Sequence, residues 1–151
     1  MAQNKLIFFE NHEHGRVIAQ AAGVIYNVAG DNCISIVRDG KLLGGAVYSG
    51  YTGASIGMHV AGFCDDWMCR DALWASFHYP FDQLGVKKIF GQVPATNSKA
   101  LEFDRKIGFK IETIIKDVYL DGDLVLMSMT KDECRWLKIK PRGLQIGKEI
   151  I

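Results

Sequence analysis

Four cysteines and four histidines are the first residues of this chain to consider as soft metal ligands or as an activated thiol and its base. Cys33, Cys64, Cys69 and Cys134 contain no C-x-x-C pair. Cys64 and Cys69 with His12, His14, His59 or His78 lack the paired ligand spacing of a zinc site, so no metal is expected. Nothing in the sequence pairs a cysteine with a particular histidine, as an activated thiol needs. His59 stands apart. It lies in ASIGMHVAGF (54–63), whose alternation places Ile56, Met58 and Val60 on one strand face and His59 on the other. Imidazole titrates near neutral pH, which makes His59 a candidate base; a hydrogen-bonded structural histidine is the alternative.

A second stretch, PATNSKALEFDRKIGF (94–109), has the chemistry of a capped helix. Asn97 or Ser98 can accept a hydrogen bond from the first helical turn. Ala100, Phe103 and Ile107 line one face, while Lys99, Glu102, Arg105 and Lys106 point outward. Gly108 suits the left-handed residue that ends a helix, and Phe109 can fold back onto the apolar face.

These residues need a scaffold, and 151 residues suffice for one domain with a buried core. A hydrophobic fraction of 48% excludes a disordered chain. A net charge of +1 provides no overall field for nucleic acid, which is not an expected partner. No apolar run reaches a membrane-crossing length, and MAQNKLIFFENHEH is not a signal peptide, so a cytoplasmic location without membrane contact is expected.

The spacing predicts a strand at 5–10 and a helix over 14–31, where Val17, Ala21, Val24, Ile25 and Val28 keep a helical period. Two strands joined at Asp39-Gly40 follow, then the strand at 54–63. The next helix has Asp65 and Asp66 as candidate caps, and Pro80 is expected to kink it or shorten its last turn. A strand at 86–93, the helix after Asn97 and a hairpin over 110–130 complete the order β-α-β-β-β-α-β-α-β-β. That order implies an α/β (α+β) mixed sheet with helices on both faces. Residues 1–134 are expected to form the single domain. The basic tail, 135–151, is expected to dock on it or on a second subunit through Trp136, Leu137 and Ile139.

An Asn capping a helix just after a strand, with Ala three residues on and Gly-Phe eleven and twelve on, resembles the GNAT N-acetyltransferase superfamily. The family pattern N-x-x-A-x-x-ϕ-Y-x-x-ϕ-G-F (ϕ apolar) falls on Asn97, Ala100, Phe103, Asp104, Ile107, Gly108 and Phe109. The element order resembles that fold from about residue 5 to residue 130, and the chain is similar in style to short acetyltransferase-like proteins of bacteriophages and bacteria. The resemblance implies that acetyl-CoA lies in a V between the fourth and fifth strands. The backbone of Val60, Ala61, Gly62 and Phe63 would hold the pantetheine arm, and the next helix N-terminus with Arg70 would take the diphosphate. Asn97 would sit near the thioester. The acceptor would be a primary amine of a small molecule or protein, and a homodimer is left open.

Two positions depart from the pattern. The family's pyrophosphate loop, [QR]-x-x-G-x-[GA], falls on Gly62, Asp65 and Trp67, so its glycines are replaced. Asp65 and Asp66 then bring negative charge to the phosphate position. The family tyrosine, a proton donor to the leaving thiolate, falls on Asp104, which at an ordinary carboxylate pKa is ionised and has no proton to give. His59 and Tyr119 are candidate stand-ins. Two readings follow: an acetyl-CoA-dependent N-acetyltransferase, and a GNAT-like domain with a degenerate cofactor loop that serves as a binding or assembly module.

Overall fold

The computed structural model describes residues 5–139 and 141–142. Strands β1 (Leu6–Phe9), β2 (Asn32–Arg38), β3 (Lys41–Ser49), β4 (Ser55–Gly62), β5 (Lys88–Pro94), β6 (Lys110–Tyr119) and β7 (Gly122–Thr130) form one mixed sheet in the order β1-β2-β3-β4-β5-β7-β6. Helices α1 (His12–Ala22), α2 (Arg70–His78) and α3 (Ser98–Ile107) connect them in the expected sequence.

The β2–β3 hairpin turns at Asp39 (φ 55°) and Gly40 (φ 71°), the paired positive angles whose twist matches that of the flanking strands. Helix α1 is capped by Asn11, whose side chain accepts from His14 N. It stops nine residues short of the expected end at 31. Gly23 adopts the left-handed conformation (φ 78°), its N–H returns to Ala19 O and Gln20 O, and the apolar period beyond it belongs to a loop. The expected caps of α2 also differ: its N-cap is Cys69, with no side-chain cap bond, and Asp65 and Asp66 lie in the preceding loop. The α-helix ends at His78, two residues before Pro80, as a proline that shortens the last turn would have it. Pro80 sits in a wide π-helical turn, Tyr79–Gln83, in which Leu84 N reaches back to Tyr79 O at 3.0 Å.

Helix α1 packs Ile18 and Ala19 against Cys33 and Val47 on one face of the sheet. The larger core lies on the other face. There Phe77 of α2 and Phe109 after α3 approach with ring centroids 6.3 Å apart, over Ile34, Ile36, Ile89 and Met127. Each fully buried aliphatic or aromatic side chain contributes about 1.5–3 kcal/mol.

Every neighbouring strand pair is antiparallel except β4 and β5. That parallel pairing covers only Ser55↔Lys88, Ile56↔Ile89 and Gly57↔Phe90. Beyond it β4 continues to Gly62 against β3, and β5 continues to Pro94 against β7. The sheet therefore opens into a V at its centre. The edge strand β6 is interrupted by register shifts after Ile111 and after Ile115, a device that blunts an exposed sheet edge.

After β7, Arg135 Nη2 donates to Lys106 O (2.6 Å) and Trp136 Nε1 to Ile107 O (2.7 Å), so two of the carbonyls left over at the end of α3 gain partners. Most of the remaining tail, residue 140 and residues 143–151, lies outside the described residues. Among the described residues, no helix is long and apolar enough to cross a membrane.

Candidate functional site

The V between β4 and β5 holds a shallow cleft of about 160 Å³, smaller than a typical drug-sized site and open to solvent at its mouth. Because the sheet is parted there, both of its faces contribute. His59 comes from the α1 face, together with Ala21 and Ala22 at the end of α1. Met58 and Val60 of β4 point to the other face, where Asn97, Ala100, Phe103 and Asp104 of the α3 segment complete the walls.

The expected site residues are distributed unevenly over this cleft. His59, Val60 and Asn97 line it. Ala61 packs toward the cluster under α1, and the Phe63 N–H is taken by Leu43 O at 2.8 Å. Gly62 lies directly beneath the indole of Trp67, so closely that a Cβ there would overlap the ring. Arg70 opens α2 and Tyr119 closes β6 opposite Gly122; neither is among the residues lining the cleft. Asn97 has a structural task as well, since its Oδ1 accepts from Ala100 N at 3.1 Å.

Burial pushes the His59 imidazole below its ordinary pKa, against a smaller opposing pull from the Asp31 carboxylate, and so favours the neutral ring. Burial acts in the opposite sense on a carboxyl. It raises Asp104 to about 6, and no charge offsets this. Asp104 therefore holds its proton to a higher pH than an ordinary aspartate, but at neutral pH the ionised form still predominates, in line with the expectation. A Cβ on Gly91 would meet Asp104 Oδ2 at 3.2 Å, so the bare glycine backbone of β5 leaves room for the carboxyl.

The loop after β4 also differs from expectation. Asp66 does not stand unpaired: Arg38 Nη1 donates to it at 3.0 Å and Lys5 Nζ lies 3.8 Å away. The Arg38 contact, with Cys64, holds its carboxyl down to about 2. Trp67 is not a loop residue open to a ligand. It is only 9% exposed, it covers Gly62 and Gly44, and it stacks on Phe103.

Beyond Gly57 and Phe90 the backbones of β4 and β5 are no longer paired across the V, the feature that an acyl-pantetheine arm would use. The place beyond Gly62, where a diphosphate would follow, is filled by the Trp67 ring. Among the described residues, no group of three or more His, Cys, Asp or Glu is arranged to hold a metal.

Neither a protein-family profile nor a curated protein matches the sequence. Solved structures do. The spermidine/spermine N-acetyltransferase SpeG from Vibrio cholerae superposes with a TM-score of 0.67 at 14% identity, over 89% of this chain and 98% of that one. A GNAT-family acetyltransferase from Bacillus anthracis gives 0.63 at 12% identity, over 88% and 98%. A probable acetyltransferase gives 0.60 at 19% identity over 69% of this chain; only 63% of that longer protein is spanned. Sheet order, the central V and these superpositions agree: the chain has the GNAT acetyltransferase fold.

Proposed function

We propose that this protein transfers an acetyl group from acetyl-CoA to a primary amine. The observation that carries the reading is the cleft between the parted β4 and β5, with a histidine that burial keeps neutral on one sheet face and an asparagine and a carboxyl on the other. In this reading the thioester lies between Val60 and Asn97, and backbone groups of the β4 edge hold the pantetheine arm. The amine enters from the α1 side, where neutral His59 takes its proton as it attacks. Desolvation within the slot strengthens each of these polar contacts. The SpeG likeness makes spermidine the first acceptor to try.

The burial of Trp67 over Gly62 favours a second reading, a domain that no longer accommodates the diphosphate and serves as a binding module. Thermal unfolding over an acetyl-CoA series separates the two. A ligand at a hundredfold above its Kd stabilises the native state by about 2.7 kcal/mol, so a saturating rise in Tm is expected. No rise at millimolar acetyl-CoA would leave only the second reading.

A further inference from the structure

We propose that Lys5, Arg38 and Lys41 form a phosphate site that the loop after β4 (63–69) keeps occupied with its own carboxylate, Asp66, so that this loop is an autoinhibitory strap. The site follows from the register of the sheet. Leu6 of β1 pairs with Val37, which sets Lys5 beside Arg38, and Arg38 pairs with Lys41 of β3. Three cations from neighbouring strands thus stand in one row at the end of the sheet. Strand alternation puts Arg38 on the face of Ile34 and Ile36, the face on which Trp67 also packs.

Asp66 fills this row as a bound anion would. Arg38 Nη1 donates to its Oδ2 at 3.0 Å, Lys5 Nζ lies 3.8 Å from the same oxygen, and Lys5 also donates to the Asp66 carbonyl. Among the described residues, Lys41 has no ion-pair or side-chain hydrogen-bond partner, so the row holds more positive charge than Asp66 uses. The Asp66 side chain is exposed, within reach of a competing anion. Beside it Trp67 lies over Gly62 of β4 and Gly44 of β3, so closely that a Cβ on either would overlap the ring. Little else holds the loop. Between Phe63, whose N–H goes to Leu43 O, and Cys69, whose carbonyl accepts from Leu73 N, no backbone–backbone hydrogen bond ties it to the described residues.

Lifting the strap uncovers the bare backbone of Gly44 and Gly62 and frees the cations together. Ile36 pairs with Gly44, and Arg38 stands two residues further along β2, about 7 Å away.

A diphosphate is long enough to reach from the glycine floor to the Arg38 guanidinium, which binds phosphate oxygens in a planar fork, with Lys5 and Lys41 on either side. It carries more negative charge than one carboxylate, so it takes the cations from Asp66, and Asp66 turns to solvent. The identity of the ligand rests on the acyltransferase reading above: it is the diphosphate of acetyl-CoA. The pantetheine arm then enters the V only after the charge of the same molecule has released the strap.

The test compares the full-length wild-type protein with Asp66→Asn, which removes the internal anion, and Lys41→Gln, which removes a cation that the strap does not use. Calorimetry measures the binding of acetyl-CoA, of inorganic pyrophosphate, and of S-acetylpantetheine, which has the arm but no diphosphate. D66N should bind acetyl-CoA and pyrophosphate about fivefold tighter than wild type or better, and K41Q about threefold weaker or worse, with S-acetylpantetheine within about twofold throughout. In the wild type, the Trp67 indole N–H resonance should shift when pyrophosphate binds, because the ring leaves Gly62. Pyrophosphate affinity that is unchanged or weaker in D66N, or unchanged in K41Q, would overturn the proposal and leave the acyltransferase reading standing. So would a gain for S-acetylpantetheine in D66N equal to that for acetyl-CoA, which would place the effect of Asp66 on the arm. Tighter pyrophosphate binding in D66N, with neither thioester bound by any of the three proteins, would keep the phosphate site and overturn the acyltransferase reading. No binding of any probe by any of the proteins would overturn both.

Discussion

Trp67 stacks on Phe103 with centroids 6.3 Å apart and planes inclined by 28°, and so joins the loop after β4 to helix α3, whose Phe103 lines the cleft. The contact stabilises the fold and fills the place beyond Gly62. Trp67→Ala should cost about 3–5 kcal/mol from lost burial. It should also enlarge the rise in Tm that acetyl-CoA produces, measured against each protein's own baseline. Equal rises in variant and wild type would mean that Trp67 does not obstruct the ligand.

Asp104 makes stability depend on pH in a definite direction. Its folded pKa of about 6 lies above the unfolded value of 3.8, so the folded state holds the proton more tightly. The associated stability is complete below about pH 4 and is lost as pH rises through about 6. Asp104→Asn removes this loss. Urea unfolding should find the variant and wild type alike at pH 4 and the variant more stable at pH 8, by on the order of 2–3 kcal/mol. Parallel curves across that range would show that the carboxyl is not desolvated.

Asn97 has a capping bond to lose and, in the proposed function, a ligand contact as well. Asn97→Ala should lower stability by about 1 kcal/mol through the bond to Ala100 N. Asn97→Ser keeps a capping oxygen but shortens the reach into the cleft. Acetyl-CoA affinity that falls in both variants, with stability falling mainly in the alanine one, is the expected pattern in calorimetry and thermal unfolding. Unchanged affinity in both leaves Asn97 as a cap alone.

Trp136 ties the segment after β7 to the end of α3 through its bond to Ile107 O. Trp136→Phe keeps most of the ring and deletes the donor, which should cost about 1 kcal/mol in denaturant unfolding. A variant as stable as wild type would place the value of this contact in its packing.

The element order was legible because local signals agree with it: the alternation in β4, the Asp39-Gly40 turn, and the Asn97 and Gly108 ends of α3. The overextended α1 shows where such signals conflict. Val24, Ile25 and Val28 keep the helical period, but Gly23 turns left-handed and the chain leaves the helix. The site was read less fully, since its electrostatics are set by residues distant in sequence. Asp66 is neutralised by Lys5 and Arg38, dozens of positions away. Asp104 owes its raised pKa to burial in the folded chain, which no spacing rule reveals.

The three-residue pairing between β4 and β5 divides the molecule more deeply than its single sheet suggests. Strands β1 to β4 form one antiparallel leaf and β5, β7 and β6 another, and each leaf is a contiguous half of the chain. The backbone passes between the leaves once, through the exposed turn at Gly85. A chain cut at that turn would keep every antiparallel ladder whole, and its two pieces would have to meet for the cleft to exist. The cleft is thus a property of the joint, complete in neither half.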